Sequence, residues 1–113
     1  MSEWKVRVVK IGKIGKHPNA DALEITDVEG TPVIMRTGLW QPGDLACYIP
    51  IDSIMPDTPE NQELFGKKLR VKAKKIRGIF SRGMLYPLPE GLADPKIGQI
   101  VHEQMGITKY EPP

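Results

Sequence analysis

The sequence predicts an all-β fold, a small closed or partly closed barrel of five or six short strands with little helix, and three observations carry that expectation. Short Val- and Ile-rich segments recur along the chain. Gly and Pro contribute 11 residues each to a total of 113, which favours many short elements joined by tight turns. No stretch has a convincing amphipathic helical period. At this length the chain holds one domain, residues 1–113, whose modest core must stabilise everything.

Taken in order, the first strand spans Lys5 to Ile14 (KVRVVKIGKI), with an irregularity at the Val8-Val9 doublet where a bulge is expected. A turn follows at His17-Pro18-Asn19-Ala20-Asp21, because Pro presets one dihedral and Asn and Asp side chains bond nearby amides. LEITDVEG and PVIMRTG then form a hairpin around Glu29-Gly30, with Leu23, Ile25 and Val28 facing inward. Pro42-Gly43 turns the chain into LACYIPI, an apolar run continuous enough for a strand buried on both faces or for one curling round a closed sheet. Residues 52–65 carry two prolines and four acids and predict a surface excursion with at most one helical turn. In KKLRVKAKKI, Leu69, Val71 and Ala73 alternate with Arg70, Lys72 and Lys74, so a strand would bury the first three and display the cations. IRGIFSRGM is punctuated by glycine, and Met84 to Leu88 is a last short strand before a Pro-rich tail.

The net charge of +2 hides a strong asymmetry. Residues 1–66 hold six Lys or Arg against ten Asp or Glu, residues 67–89 hold eight against none, and residues 90–113 hold two against four. A block of like charge repels itself, so a polyanion partner is the simplest explanation; acidic neighbours from elsewhere in the fold are the alternative. The expected nucleic-acid contacts are Arg70, Lys72, Lys74, Lys75, Arg77 and Arg82, with Ser81 as a neutral phosphate donor and Phe80 as a stacking surface. Trp40 is a second stacking candidate.

Other chemistries are poorly served. Cys47, the single cysteine, has no disulfide partner and sits in an apolar run. His17 and His102 stand apart from any nucleophile signature, and the carboxylates lack metal-ligand spacing, so neither a catalytic residue nor a metal is expected. Lys75-Ile76-Arg77-Gly78 fits the loose Lys-x-x-Gly pattern of nucleotidyl transferases, yet a barrel of this size lacks the deep nucleotide pocket that such a lysine needs. No apolar run is long enough to span a membrane and the N-terminus has no secretory core, so a cytoplasmic protein with no membrane partner is expected.

Two pairs of phrases resemble known families. His17-Pro18-Asn19-Ala20-Asp21 together with Ile76-Arg77-Gly78-Ile79-Phe80-Ser81-Arg82-Gly83-Met84 resembles the HPxAD and (M/I)RGVxSxGM pattern of the tRNA-binding OB-fold domain of synthetase-associated proteins. That likeness implies a five-stranded OB barrel. The stretch from Pro42 to Pro56 is similar to PGDLxxYxxIDSxLP in the N-terminal OB module of the Deinococcus-type RNA ligase family, and residues 105–113 are similar to its LGVTKYEPP. The tRNA-binding domain carries neither phrase, which favours the ligase module.

The ligase likeness implies an OB module that docks a nicked duplex with a 3'-hydroxyl RNA end for ATP-dependent sealing. It further implies that residues 104–113 lead into a catalytic domain absent from this chain, which would hold the ATP and the divalent metal. This chain would then be no enzyme by itself and need no cofactor. Its partners would be RNA or an RNA-containing duplex and the adjoining catalytic domain. A stand-alone tRNA-binding module and a protein-interaction module that docks an acidic partner are the alternatives. His17, Asn19 and Asp21 are assigned to turn architecture or to a polar lip of the groove, and Asp52 and Ser53 to closing the turn after a strand.

Overall fold

The computed structural model describes residues 4–89, 91–92 and 94–111, and among them are ten short strands and two short helices. The expected first strand is two: β1 (Arg7–Lys10) pairs antiparallel with β5 (Leu45–Ile49), while β2 (Ile14–Lys16) pairs with β3 (Leu23–Val28). The bulge expected at Val8-Val9 is absent, since the register from Arg7↔Tyr48 to Lys10↔Leu45 is unbroken. The doublet has another cause: β1 and β5 have a core on each face. Val8, Cys47 and Ile49 pack with Val6, Met55, Val71, Val101 and Ile107 on one side. Val9, Ala46 and Tyr48 pack with Ile11, Val28, Val33, Met35 and Leu85 on the other. LACYIPI is therefore buried on both faces, as its continuity predicted.

The second of these cores fills the barrel. β3 and β4 (Thr31–Arg36) form the expected hairpin, and its turn residues Glu29 and Gly30 have φ of 52° and 84°, the left-handed pair that a two-residue hairpin favours. Of the three residues expected to face inward, only Val28 is buried. Thr26 and Val28 are buried whereas Leu23 and Ile25 are only half-buried, because Thr26 satisfies its hydroxyl on Lys13 O at 3.0 Å and so can occupy the inner face. β4 then meets β8 (Ile79–Ser81) and its following turn through Arg82 N to Pro32 O at 3.1 Å. β9 (Met84–Tyr86) returns to pair with β5. The described strands thus fall into four small sheets, and β4 meets the β8 segment through single bonds and not through a continuous ladder.

The other core lies outside the barrel and is covered by segments whose sequence predicts irregular structure. β6 (Ser53–Ile54) leads into α1 (Pro59–Phe65), a longer helix than expected. Thr58 Oγ1 accepts from Asn61 N at 3.1 Å and Pro59 occupies the first turn, a start signal that the surrounding prolines disguise. The strand expected through KKLRVKAKKI is overturned. Leu69 has φ of 58°, Arg70 makes a single bridge to Ile54, and Ala73 is exposed instead of buried. Leu69 and Val71 do reach this core, but the alternation of burial ends at Val71 and a ladder begins only at β7 (Lys74–Ile76).

The Pro-rich tail is also tied down. Residues 98–101 cover the open edge of β1, with Gly98 N to Val8 O at 2.7 Å and Val101 N to Val6 O at 2.9 Å. After α2 (His102–Met105), β10 (Thr108–Lys109) pairs with β6. Pro112 and Pro113, the last residues of the expected lead-in, lie outside the described residues.

Candidate nucleic-acid interface

The basic block folds into a protruding hairpin. β7 and β8 pair as Lys74↔Ser81, Lys75↔Phe80 and Ile76↔Ile79 around Arg77-Gly78, whose φ values of 50° and 92° again make a two-residue left-handed turn. Alternation sorts the side chains. Lys75 and Phe80 share one face, with Lys75 Nζ 5.9 Å from the Phe80 ring centroid and Phe80 half-exposed. Lys74, Ile76 and Ser81 lie on the opposite face, where they line a cavity of about 190 Å³ together with Lys72, Ile34, Leu64, Phe65, Val71, Gly83 and Met84. Arg77 stands at the exposed tip.

Strands of three residues make a weak hairpin on their own, and two residues of the HPNAD turn anchor this one. Asn19 N–H donates to His17 Nδ1 at 3.0 Å, so the ring carries its proton on Nε2, which donates to Ile76 O at 3.0 Å. Asn19 Nδ2 donates to Arg77 O at 3.0 Å. His17 is 2% exposed. Turn architecture is the expected role for these residues, yet the turn they serve belongs to another segment nearly sixty residues away. Asp21 stays at the surface, 3.7 Å from Lys16.

The expected contact residues divide. Lys72, Lys74, Lys75, Arg77 and Arg82 are exposed, and none has a carboxylate within ion-pair distance among the described residues. Arg82 lines a separate groove with Arg7, Tyr48, Asp52 and Lys109 and so does not join the hairpin cluster. Arg70 is engaged within the fold: its Nη2 and Nε lie 2.6 and 3.0 Å from Asp52 Oδ1, and its guanidinium stacks 3.9 Å from the Tyr110 ring centroid. Ser81 requires a correction. It is buried, its Oγ accepts from Ile34 N at 3.0 Å and faces Gly83 O at 3.4 Å, so its hydroxyl closes the barrel and is not offered to a phosphate. Trp40 is half-buried against the barrel core.

Asp52 and Ser53 do more than close a turn. Asp52 O accepts from Tyr110 N at 2.7 Å, and Ser53 Oγ accepts from Trp4 Nε1 at 3.0 Å while donating to Pro50 O at 2.7 Å. The IDS and TKYE phrases are therefore in contact, as are HPNAD and IRGIF. Co-occurrence of distant phrases is the one signal of these contacts in the sequence.

Reactive groups are scarce. Burial pushes the Cys47 thiol up to about 11, which keeps it protonated and unreactive. Among the described residues no cluster of three or more His, Cys, Asp or Glu could hold a metal ion, and no helix is long and apolar enough to cross a membrane.

Residues 5–88 match the family of OB-fold domains. The chain belongs to that family. This OB-fold domain also superposes on solved structures of an RNA ligase from Naegleria gruberi. With the ligase bound to PPi the TM-score is 0.84 at 28% identity, covering 99% of this chain and 36% of the ligase. A lysine-to-methionine variant with AMP and Mn gives 0.83 at 29%, covering 96% and 35%, and a glutamate-to-alanine variant with ATP and Mn gives 0.84 at 28%, covering 98% and 36%. The domain spans about a third of the ligase chains it matches. No curated protein matches it.

Proposed function

We propose that this OB-fold domain is the nucleic-acid-docking module of an RNA ligase of the Deinococcus type, and that it holds a nicked duplex with a 3'-hydroxyl RNA end. Sealing would fall to a catalytic domain outside these 113 residues, in the cytoplasm, with ATP and a divalent metal held there. The observation that supports this reading is the end-to-end likeness to one third of an RNA ligase at 28–29% identity. The domain binds and performs no chemistry. Lys72, Lys74, Lys75 and Arg77 supply cations to the sugar-phosphate chain, Phe80 offers a ring to it, and Arg82 extends the positive surface toward the second groove. Arg70 and Ser81 are left out because their polar groups are spent within the fold.

Each phosphate neutralised releases condensed counterion, so log affinity for a duplex falls against log salt with a slope of about −0.9 per neutralised phosphate. Anisotropy titrations of a labelled nicked duplex at several salt concentrations test the assignment. Reversing Lys72, Lys74 and Arg77 together to Glu flattens the slope by roughly one for each phosphate that the variant no longer neutralises. An unaltered slope removes these residues from the interface. A second reading, a tRNA-binding module, rests on the likeness of HPNAD and IRGIF to the phrases of that family and requires that tRNA outcompete the nicked duplex. A protein-interaction module would show negligible nucleic-acid affinity even at low salt.

A further inference from the structure

Away from the hairpin, one face of the domain combines exposed aliphatic side chains with charges of both signs. Of the five large apolar residues at least half exposed among those described, Leu39, Leu64 and Phe80 stand on separate elements, whereas Ile97 and Ile100 share one short segment. Ile100 pairs with Arg7 at the edge of β1, so the two side chains lie on the same side of the sheet. Ile97 lines a depression of about 280 Å³ with Lys5, Arg7, Lys10 and Glu29. Arg7 and Glu29 also line the neighbouring groove of about 450 Å³, together with Trp4, Tyr48, Asp52 and Lys109. No residue of β7 or β8 lines either one, and Arg82, which directly follows β8, stands where the groove meets the hairpin.

The fold already uses some of these charges. Arg7 is 9% exposed, lies 5.1 Å from the Tyr48 ring centroid and is held by Glu29, while Asp52 is held by Arg70. Lys5, Lys10 and Lys109 have no carboxylate within ion-pair distance among the described residues. A phosphodiester chain is a poor occupant, because it would pass the partly exposed carboxylates of Glu29 and Asp52 and offers nothing to two isoleucines. A second copy of the domain is also poor, because the cations left over would face their own kind. A protein surface with an apolar centre and carboxylates at its rim satisfies both parts, and Trp, Tyr and Arg are the residues enriched where proteins meet.

We infer that this face seats the catalytic domain of the ligase, which presents an apolar contact to Ile97 and Ile100 and carboxylates to Lys5, Lys10 and Lys109. The inference rests on the docking reading and adds to it a second surface, one to which the hairpin contributes nothing. Position supports the occupant. Lys109 borders the groove, and the residue after it is fixed by Tyr110 N–H to Asp52 O at 2.7 Å and by Arg70 on the Tyr110 ring. The docking reading places the catalytic domain after residue 113, so its chain starts at the margin of the groove. A short tether supplies an effective concentration of about millimolar, and a modest interface then keeps the two domains together.

The test adds the catalytic polypeptide that the docking reading places after residue 113, in trans and up to about 1 mM, to the isotopically labelled domain. The methyls of Ile97 and Ile100 and the indole of Trp4 shift, and the amides of residues 74–81 do not. A nicked duplex in place of the polypeptide shifts residues 74–81 and leaves the two methyls where they are. Ile97→Ser with Ile100→Ser, at exposed positions, weakens the association by about tenfold or more and leaves duplex affinity and its salt slope unchanged. No shift from the polypeptide, with duplex binding intact, overturns the seat and spares the docking function. An association that the double variant retains in full also overturns the seat. A concentration-dependent mass of the domain alone, abolished in the double variant, gives the face to a second copy and overturns the seat too. Seating of the polypeptide without any duplex binding at low salt overturns the docking function alone, and a reading frame that stops after codon 113 overturns both.

Discussion

Asn19→Ala separates the hairpin anchor from the stability of the barrel, and its size can be worked from the contacts. The substitution removes one hydrogen bond, Asn19 Nδ2 to Arg77 O at 3.0 Å, on an exposed side chain. Such a bond is worth about 0.5–1.5 kcal/mol. A three-residue ladder on each side of a two-residue turn has little stability of its own, so the loss falls on local opening of the hairpin and not on global unfolding. Amide exchange within residues 74–81 should speed by about two- to twelvefold, while the amides of β1 and β5 keep their rates. His17→Ala is the severe counterpart. It deletes a ring that is 2% exposed, removes two hydrogen bonds and strands Ile76 O and Asn19 N, at a cost of about 3–4 kcal/mol. That is a large part of the roughly 5–15 kcal/mol available to a domain, and urea titration followed by tryptophan fluorescence measures it. Equal exchange rates in wild type and Asn19→Ala throughout residues 74–81 would refute the anchor.

Gly83→Ala should destabilise by about 3 kcal/mol or fail to fold, since φ is 97° and a new methyl would lie 2.6 Å from Ile49 O and 2.9 Å from the Tyr48 ring; a thermal scan reads the loss. Asp52→Ala removes the partly exposed ion pair to Arg70 and should cost about 1 kcal/mol in low salt and less in high salt, which urea titrations at two ionic strengths resolve. Because Asp52 has φ of 67°, Asp52→Gly should be less damaging than Asp52→Ala by about 1 kcal/mol despite losing the same carboxylate.

The hairpin of β3 and β4, the two-faced burial of β5 and the overall β class are legible in the sequence because each is written in neighbouring residues. Alternation and a left-handed turn pair are local signals. The failures share a different cause. Val8 and Val9 suggest a bulge because a second core, assembled from residues 50–73 and 98–107, cannot be seen from β1 alone. Ala73 continues the alternation on paper, but burial ends at Val71. Thr26 does not look like an inner-face residue because its partner, Lys13 O, belongs to another segment. Ser81 points outward in the sequence pattern for its hydroxyl, whose partner Ile34 N lies 47 residues away. In every case the missing information is a long-range contact. Six cations look equivalent in the sequence, and the structure divides them: Arg70 by its ion pair with Asp52, Arg82 by its place in another groove.

The phrases that carry the family likeness are held in place by packing and hydrogen bonding, so they cannot by themselves decide what the domain binds. His17 and Asn19 hold the turn of IRGIF, Gly83 admits the close approach of Ile49 and Tyr48, and Asp52 joins Arg70 to Tyr110. A chain that used these residues for packing alone would show both phrase pairs whether it bound a nick, a tRNA or a protein. The phrases thus speak for the fold, and for a hairpin held at a set angle, with Asp52 and Arg70 tying the segment around Tyr110 back to the barrel. What bears on function beyond the fold is the set of side chains that packing does not require. Lys72, Lys74, Lys75 and Arg77 are exposed, close in sequence, free of carboxylates among the described residues, and displayed on a hairpin whose anchors are spent on keeping it in place. Stability does not explain four such cations on one small hairpin and the segment leading into it, because like charges at this spacing oppose folding. The proposed docking function accounts for them by an anion laid against the hairpin, and the salt slope is therefore a more direct probe of that proposal than any further likeness in sequence.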